Sequence, residues 1–195
     1  VSKTVSQTVK VLLHVISAQF DINPSMSTHM PVKLWRKCAK TLSRLLLLLK
    51  ENPYIVITED MGEAAEQEEE EEVGIDDEAP PEGVNGEKKK VWGNIVAFLE
   101  RLDDEYFKSL QIIDPHVKEY VERMQDEITI LVLAEDMVDY VKAQEDKEAY
   151  SRITLRRLEH LYYKPENVYN AIGERATADG AAAKVAADKE AAAVL

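Results

Sequence analysis

The sequence predicts a mostly α-helical fold, built from antiparallel helices with one small β-hairpin. Apolar residues recur every three or four positions through most of the chain, which is the spacing of an amphipathic helix. Turn-forming pairs, such as Asn23-Pro24 and Asn52-Pro53, separate these helical stretches. One short run, residues 54–58, is instead rich in aromatic and β-branched side chains, as strands are.

Residues 4–22 and about 31–50 are predicted to form the first two helices, because each has a continuous apolar stripe. The first stripe consists of Val5, Val9, Leu12, Ile16 and Phe20. The second stripe consists of Leu34, Cys38, Leu42, Leu45 and Leu49. Two such helices joined by a turn form an antiparallel hairpin, the unit of helical-repeat proteins, although no fixed-period repeat is visible in the sequence.

The second helix carries a basic face opposite its apolar stripe. This basic face consists of Lys33, Arg36, Lys37, Lys40 and Arg44. Residues 1–58 hold eight basic and two acidic side chains, and such an excess is typical of contact with a polyanion. We interpret the basic face as a candidate contact for RNA or for a protein partner. A solvated helix surface is the simpler alternative.

An acidic segment follows the predicted strand at residues 54–58. Residues 59–87 contain 14 Asp or Glu and no Lys or Arg. Because these like charges repel one another and the segment has little apolar surface to bury, we expect it to be disordered. Most of the net charge of −13 arises in this segment.

Residues 88–99 allow two structures. Apolar side chains occupy most positions from Val91 to Leu99, which favours a strand buried on both faces, and Gly93 weakens a helix by about 1 kcal/mol. We predict that this strand pairs antiparallel with residues 54–58 and that the acidic segment forms the tip of the hairpin. A helix that begins near Trp92 is the alternative.

Helices resume after residue 100. We predict them over 100–113, 118–125, 127–144 and 151–164. Asp114-Pro115 is expected to be the cap and first position of the helix over 118–125, and Pro165 follows the helix over 151–164. The chain then divides into four regions. These are a basic helical hairpin with a short strand (1–58), the acidic segment (59–87), a strand followed by a helical repeat segment (88–172) and an alanine-rich tail (173–195).

No arrangement of residues for catalysis or cofactor binding is recognisable. The motifs GxxxxGK[ST], GxGxxG, HExxH and GxSxG are absent, and a single cysteine, Cys38, excludes a cysteine-rich zinc site. Asp103, Asp104 and Glu105 project about 100° apart on a helix, so we interpret them as a solvated face on which Arg101 pairs with Glu105. We predict no enzyme activity, no cofactor and no metal ion.

Three side chains are assigned structural roles. We expect His116 to form a hydrogen bond at a helix start, Cys38 to be a buried inert thiol and Tyr162 to pack in the core. Stacking of Tyr162 and Tyr163 on RNA bases is the alternative for that pair. The longest apolar run, residues 45–49, is too short for a membrane span, and one cysteine suits a reducing compartment, so we expect a cytoplasmic protein. The start at Val1 suggests a piece of a longer protein.

Residues 91–116 resemble a known family, the c subunit of eukaryotic translation initiation factor three. The resemblance is carried by Gly93, by residues 100–105 (Glu-Arg-Leu-Asp-Asp-Glu), by 109–111 (Ser-Leu-Gln) and by 114–116 (Asp-Pro-His). Residues 51–53, 119–127 and 151–164 are also similar to this family. The likeness covers about residues 31–165 and does not include residues 173–195. Since neither end of the family is recognisable, we assign the chain to its middle region.

The resemblance implies a role that the residue pattern alone does not give. Members of this family belong to a multi-subunit factor that binds the small ribosomal subunit, and they pair with the a subunit. Their later region has a helical repeat of the PCI type, and their amino-terminal tail contacts initiation factors one and five. We therefore expect a non-catalytic scaffold segment that helps to assemble the factor and to bind the small ribosomal subunit. An RNA-binding helical module that contacts ribosomal RNA through the basic face is the alternative.

Overall fold

The computed structural model describes residues 4–22, 28–60, 62 and 88–162. Its helices and strands within these residues are α1 (Val5–Asp21), α2 (Val32–Glu51), β1 (Ile55–Thr58), β2 (Lys89–Trp92), α3 (Ile95–Ile112), α4 (Lys118–Met124), α5 (Glu127–Ala143) and α6 (Lys147–Leu161). The predicted mostly helical fold with a small sheet is confirmed. The alanine-rich tail, and nearly all of the acidic segment, lie outside the described residues.

The first two helices form where the sequence predicts them. The side chain of Thr4 caps α1 by accepting a hydrogen bond from the backbone N–H of Gln7, which satisfies a donor that the helix itself leaves open. The apolar stripe of α1 packs on α2 and is almost fully buried. Burying a large apolar side chain contributes about 1.5–3 kcal/mol, so these two stripes supply much of the core.

Helix α2 lies at the centre of the fold, in contact with α1, α3 and α5. Trp35 is fully buried, and its indole Nε1–H donates a hydrogen bond of 2.8 Å to the backbone carbonyl of Leu102 in α3. Cys38 lies on the same buried side, where burial raises the pKa of its thiol to about 12. The thiol therefore stays protonated at neutral pH, as expected for a buried inert cysteine.

The two strands pair in parallel, so the predicted antiparallel hairpin is wrong. Ile55 lies opposite Lys89 and Thr58 opposite Trp92. An antiparallel hairpin needs only a tight turn, whereas parallel strands need a crossover of a dozen residues or more. Residues 59–88 are long enough for such a crossover, so the length of the connection does not select the antiparallel arrangement.

The second strand is short, and the predicted strand over residues 88–99 is wrong beyond Trp92. Helix α3 begins at Ile95, because the side chain of Asn94 caps it by accepting a hydrogen bond of 2.7 Å from the N–H of Ala97. Gly93 lies between strand and helix, where an added Cβ would be 3.1 Å from Leu13 Cδ1. This glycine therefore allows close packing of the strand–helix junction on α1. The alternative of a helix beginning near Trp92 is closer to the observed structure.

The last helices differ from prediction mainly at their starts. Asp114-Pro115 lies in a turn, and α4 begins three residues after Pro115, at Lys118. Helix α6 begins at Lys147 rather than at residue 151, because the Asp146 carboxylate accepts hydrogen bonds from the N–H groups of Glu148 and Ala149. The end predicted at Pro165 lies outside the described residues.

Candidate functional site

The structure places the whole basic face of α2 at the surface. All five of its side chains are exposed, and Leu47, also exposed, lies among them. Lys33, Lys37, Lys40 and Arg44 recur at intervals of four, three and four residues, so they line one side of the helix. At 1.5 Å per residue this row is about 16 Å long.

Four of these five side chains have no partner among the residues that the structure describes. Neither a hydrogen bond nor an ion pair holds the side chains of Lys33, Lys37, Lys40 or Arg44 to any residue that the structure describes. Arg36 is the exception, since its Nε–H donates to Asp126 Oδ1 at 2.8 Å. This hydrogen bond raises the pKa of Arg36, so its charge is permanent. The face thus offers charge that none of the described residues neutralises.

A buried arginine lies behind the basic face and was not predicted from the sequence. Arg123 of α4 is fully buried, with its guanidinium 4.1 Å from the ring centre of Trp35 and 5.0 Å from that of Tyr106. Its Nε–H donates to Ser109 Oγ at 2.7 Å, and Nη1 donates to Asp126 Oδ2 at 2.9 Å. Burial lowers the pKa of Arg123, while Asp126 opposes that shift. Two aromatic rings and one carboxylate therefore hold this charge in the interior.

A second group of charged side chains lies where α6 packs on α3 and α5, with two members buried and two partly exposed. We call this group the buried charge cluster; its members are Asp103, Glu127, Arg156 and His160. His160 Nε2 lies 2.8 Å from Asp103 Oδ1, and His160 Nδ1 lies 2.9 Å from Glu127 Oε1. Arg156 Nη1 donates to Asp103 Oδ2 at 2.9 Å. The cluster ties three helices together.

His160 is positively charged in this cluster at neutral pH. Burial by itself lowers the pKa of the imidazole, but hydrogen bonds to Asp103 and Glu127, together with their negative charges, raise it to about 9. Both ring nitrogens then donate, which matches two carboxylate partners. Phe107 stacks on the ring with a centroid distance of 4.9 Å. These contacts leave the histidine no open side for a substrate.

The structure contradicts three interpretations of the sequence. Asp103 is 1% exposed, so it does not belong to a solvated face. Its position four residues after Leu99 and three before Tyr106, on the apolar stripe of α3, was the signal for burial. Arg101 does not pair with Glu105; it lies over the ring of Phe20, 4.6 Å from its centre. In addition, Tyr162 is 70% exposed rather than packed in the core, and Tyr163 lies outside the described residues.

His116 stands in the turn before α4. Its backbone N–H, not its ring, donates 2.9 Å to Asp114 Oδ1. The expected local hydrogen bond therefore exists, as part of a turn that precedes the helix rather than within the helix start.

A shallow cavity of about 240 Å³ lies beside the small sheet, but its polar groups are occupied by structural contacts. Asn94 caps α3 and donates to Glu59 Oε1 at 2.6 Å. Tyr140 Oη accepts a hydrogen bond of 3.0 Å from the N–H of Ile57. The cavity therefore does not bring together a nucleophile and a base. Among the described residues, no group of three or more His, Cys, Asp or Glu side chains is arranged to hold a metal ion.

Among the described residues, exposed apolar side chains lie on α1, on α6 and around α4, where Ile112, Val117, Val121 and Met124 are exposed. Leu155 and Leu158 of α6 are 57% and 53% exposed. Val11 and Val15 of α1, followed by Ile22, form a second exposed stripe. In the part of the chain that the structure describes, no helix has the length and apolar character needed to cross a membrane. These stripes are candidate surfaces for protein contact.

Comparison with known proteins assigns the chain to a family. The family model described as the N-terminus of eukaryotic translation initiation factor 3 subunit 8 matches residues 1–194. The chain belongs to this family. The match confirms the resemblance carried by residues 91–116 and their flanks. However, the matched region is described as the amino-terminal part of the family, so the assignment to its middle region has no support.

Curated relatives agree with the family match, and all three named here are the c subunit of eukaryotic translation initiation factor 3. The protein of Coccidioides immitis is 39% identical over 169 residues, which cover 83% of this chain and 18% of that protein. The protein of Mycosarcoma maydis is 39% identical over 169 residues, which cover 84% of this chain and 17% of that protein. The protein of Pyricularia oryzae is 36% identical over 193 residues, which cover 91% of this chain and 21% of that protein. The chain therefore spans about one fifth of the length of these relatives.

Proposed function

We propose that this chain is a non-catalytic scaffold segment of translation initiation factor 3, which helps to assemble the factor and to bind it to the small ribosomal subunit. The family match supports membership of the factor. The exposed apolar stripe of α6 is the observation that carries the scaffold role, because Leu155 and Leu158 are more than half exposed beside a well-packed core. Burying such side chains against another subunit would stabilise the assembly.

The rest of the scaffold assignment follows the family resemblance. We propose that the helices belong to a repeat of the PCI type and that the a subunit is a direct partner. Initiation factors one and five would contact regions that this chain does not contain. The polar groups of the buried charge cluster and of the cavity are occupied by contacts within the fold, which supports a role without catalysis.

The scaffold proposal is tested by capture with the tagged 195-residue chain. The chain is mixed with the purified remaining subunits of the factor, and retention of the a subunit is measured by immunoblot. We expect capture by the unchanged chain and its loss in the Leu155→Ser/Leu158→Ser double variant. A Ser151→Ala/Thr154→Ser variant keeps both leucines and makes conservative changes at exposed neighbours on the same face of α6, so it is the control.

Two results would contradict different parts of this proposal. If the unchanged chain retains none of the subunits, the scaffold role is wrong. If the Leu155→Ser/Leu158→Ser variant retains the a subunit as well as the unchanged chain does, α6 is not the contact surface.

We propose RNA binding through the basic face of α2 as a second function. The observation that favours it is the row of four cationic side chains without partners in the described structure, Lys33, Lys37, Lys40 and Arg44. Cations at i, i+4 and i+7 follow one helix face with spacings of about 5–6 Å between neighbours. Such a row can meet successive phosphates of one RNA strand, and each neutralised phosphate releases counterions.

Salt dependence of RNA affinity tests this second function. Binding of a fluorescein-labelled fragment of small-subunit ribosomal RNA is measured by anisotropy at several salt concentrations, with a log–log slope of about −0.7 to −0.9 expected per phosphate contact. The Lys37→Glu/Lys40→Glu/Arg44→Glu variant should bind far more weakly and with a shallower slope. The Lys50→Glu/Lys142→Glu/Lys147→Glu variant makes the same change in net charge at exposed positions outside the basic face. Equal losses in the two variants would show that only overall charge matters.

A further inference from the structure

Arg36 differs from its four neighbours on the basic face, because the fold holds its guanidinium in place. Its Nε–H donates to Asp126 Oδ1 at 2.8 Å, whereas the other four side chains have no such contact in the described structure. Asp126 is buried, but the side chain of Arg36 remains half exposed. Arg36 is thus anchored at one edge of its guanidinium and open to solvent beyond it.

The Asp126 carboxylate, which holds Arg36, is itself fixed in position. The second oxygen of Asp126, Oδ2, accepts a hydrogen bond of 2.9 Å from Arg123 Nη1. Arg123 is enclosed by Trp35 and Tyr106 and donates to Ser109. A carboxylate held from the interior in this way fixes the direction of the Arg36 side chain.

This arrangement leaves the two terminal nitrogens of Arg36 available. Neither Nη1 nor Nη2 makes a hydrogen bond to a residue that the structure describes. The guanidinium is planar and can donate two parallel hydrogen bonds to one phosphate, which a lysine cannot do. Because the side chain is already ordered, little conformational entropy is lost when it binds.

Charges near Arg36 favour a phosphate. Asp126 lies between two arginines, so the group of Arg36, Asp126 and Arg123 has a net positive charge. Glu122 is the other acidic group that acts on Arg36, and it pairs with Lys118 at 3.1 Å. On α2 itself, Lys33, Lys37 and Lys40 lie three, one and four residues from Arg36.

We propose that Arg36 is the fixed phosphate-binding residue of the basic face, and that Asp126 is its positioning residue. One phosphate of an RNA strand accepts two hydrogen bonds from the terminal nitrogens of Arg36. The four side chains without partners in the described structure contribute mobile charge to the neighbouring phosphates. This inference rests on the proposed RNA-binding function. It adds the identity of the residue that fixes the position of the RNA strand along the basic face. Evenly spaced cations favour a nucleic-acid backbone over an acidic peptide.

The test compares two substitutions that keep the charge. Arg36→Lys retains the positive charge but loses the planar guanidinium and its Nε contact. Arg44→Lys makes the same change at a side chain that no described residue holds in place. Affinity for a fluorescein-labelled poly(U) strand of about 20 nucleotides, long enough to follow the whole face, is measured by anisotropy at several salt concentrations. We expect Arg36→Lys to weaken binding about fivefold to tenfold and Arg44→Lys to weaken it no more than about twofold. The salt slope should stay the same in both variants, because no charge is lost.

A role for Asp126 is tested by Asp126→Asn, with urea denaturation run in parallel because Arg123 also depends on this carboxylate. We expect Asp126→Asn and Arg36→Lys to weaken binding together, and their effects not to add in the double variant. Additive losses would exclude the positioning role. Arg36→Lys does not remove the partner of Arg123, so the phosphate-binding role of Arg36 can be tested even if Asp126→Asn fails to fold.

Each remaining outcome has a distinct meaning. If the unchanged chain does not bind poly(U), the RNA-binding function itself is wrong. If it binds and the two lysine variants are equally weak, Arg36 is not the fixed residue. If a poly-glutamate chain of equal charge displaces the RNA as well as unlabelled poly(U) does, the occupant is an acidic peptide and the proposal is overturned.

Discussion

The basic face of α2 and the buried charge cluster use the same kinds of side chain in opposite ways. In the buried charge cluster, His160 and Arg156 are neutralised by the carboxylates of Asp103 and Glu127 inside the fold. On the basic face, four of five cationic side chains have no counter-charge among the described residues. The first arrangement stabilises the packing of α6, and the second leaves charge for another molecule.

Burial, not residue type, decides whether a charged side chain serves stability or binding. A buried charge without a partner costs several kcal/mol, so the fold must supply partners for it. An exposed charge contributes little to stability, so replacing it changes the free energy of unfolding only slightly. Arg36 combines both situations, since it is held by the buried Asp126 and half exposed. Substitutions in the two regions should therefore separate stability from binding.

The largest effect is expected for Asp103→Ala in the buried charge cluster. Removing this carboxylate leaves His160 and Arg156 without a shared partner, and breaking a buried ion pair costs about 3–5 kcal/mol. Urea denaturation measures the free energy of unfolding. Asp104→Ala is the matched control, because Asp104 also contacts Arg156 but its side chain is 66% exposed; it should cost less than about 1 kcal/mol. Equal losses would refute the distinction between the two regions.

The next effect is a fall in stability with rising pH. The folded-state pKa of His160 is raised from 6.5 to about 9. The folded chain therefore binds more protons than the unfolded chain between these values, and its stabilisation is complete below pH 6.5 and lost as pH rises through about 9. The decrease should reach about 3 kcal/mol. Denaturation curves across this range measure it, and a His160→Gln variant should lack the slope.

Trp35→Phe is expected to have an intermediate effect. It removes the hydrogen bond to the Leu102 carbonyl and part of the surface against which Arg123 packs. An unpaired buried carbonyl and a small cavity together cost about 1–3 kcal/mol. Trp92→Phe is the matched control at a residue that is 51% exposed, and its effect on the melting temperature should be near zero. A similar loss at both positions would argue against a specific role for Trp35.

The smallest effect on stability is expected on the basic face. The Lys33→Gln/Lys37→Gln/Lys40→Gln/Arg44→Gln variant removes four exposed charges without partners in the described structure, so the free energy of unfolding should change by less than about 0.5 kcal/mol. The same variant should lose RNA affinity. If it unfolds instead, the basic face belongs to the stability of the fold and the comparison fails.

Local patterns predicted much of the fold and the position of the basic face. The apolar stripes of α1 and α2 predicted the ends of both helices to within one or two residues. The same periodicity placed Lys33, Arg36, Lys37, Lys40 and Arg44 on one exposed face. Such patterns succeed because residues three and four apart are neighbours on any helix, whatever surrounds it.

The sequence by itself determined where the helices run, which faces are apolar and to which family the chain is similar. The tertiary structure alone decided the parallel pairing of the strands, the burial of Arg123 and His160 and the partners of Asp103. Asp103 meets His160 across 57 residues, and Arg123 meets Ser109 across 14. A charged side chain is stable in the interior only beside such distant partners, and their position depends on how the helices pack rather than on local sequence.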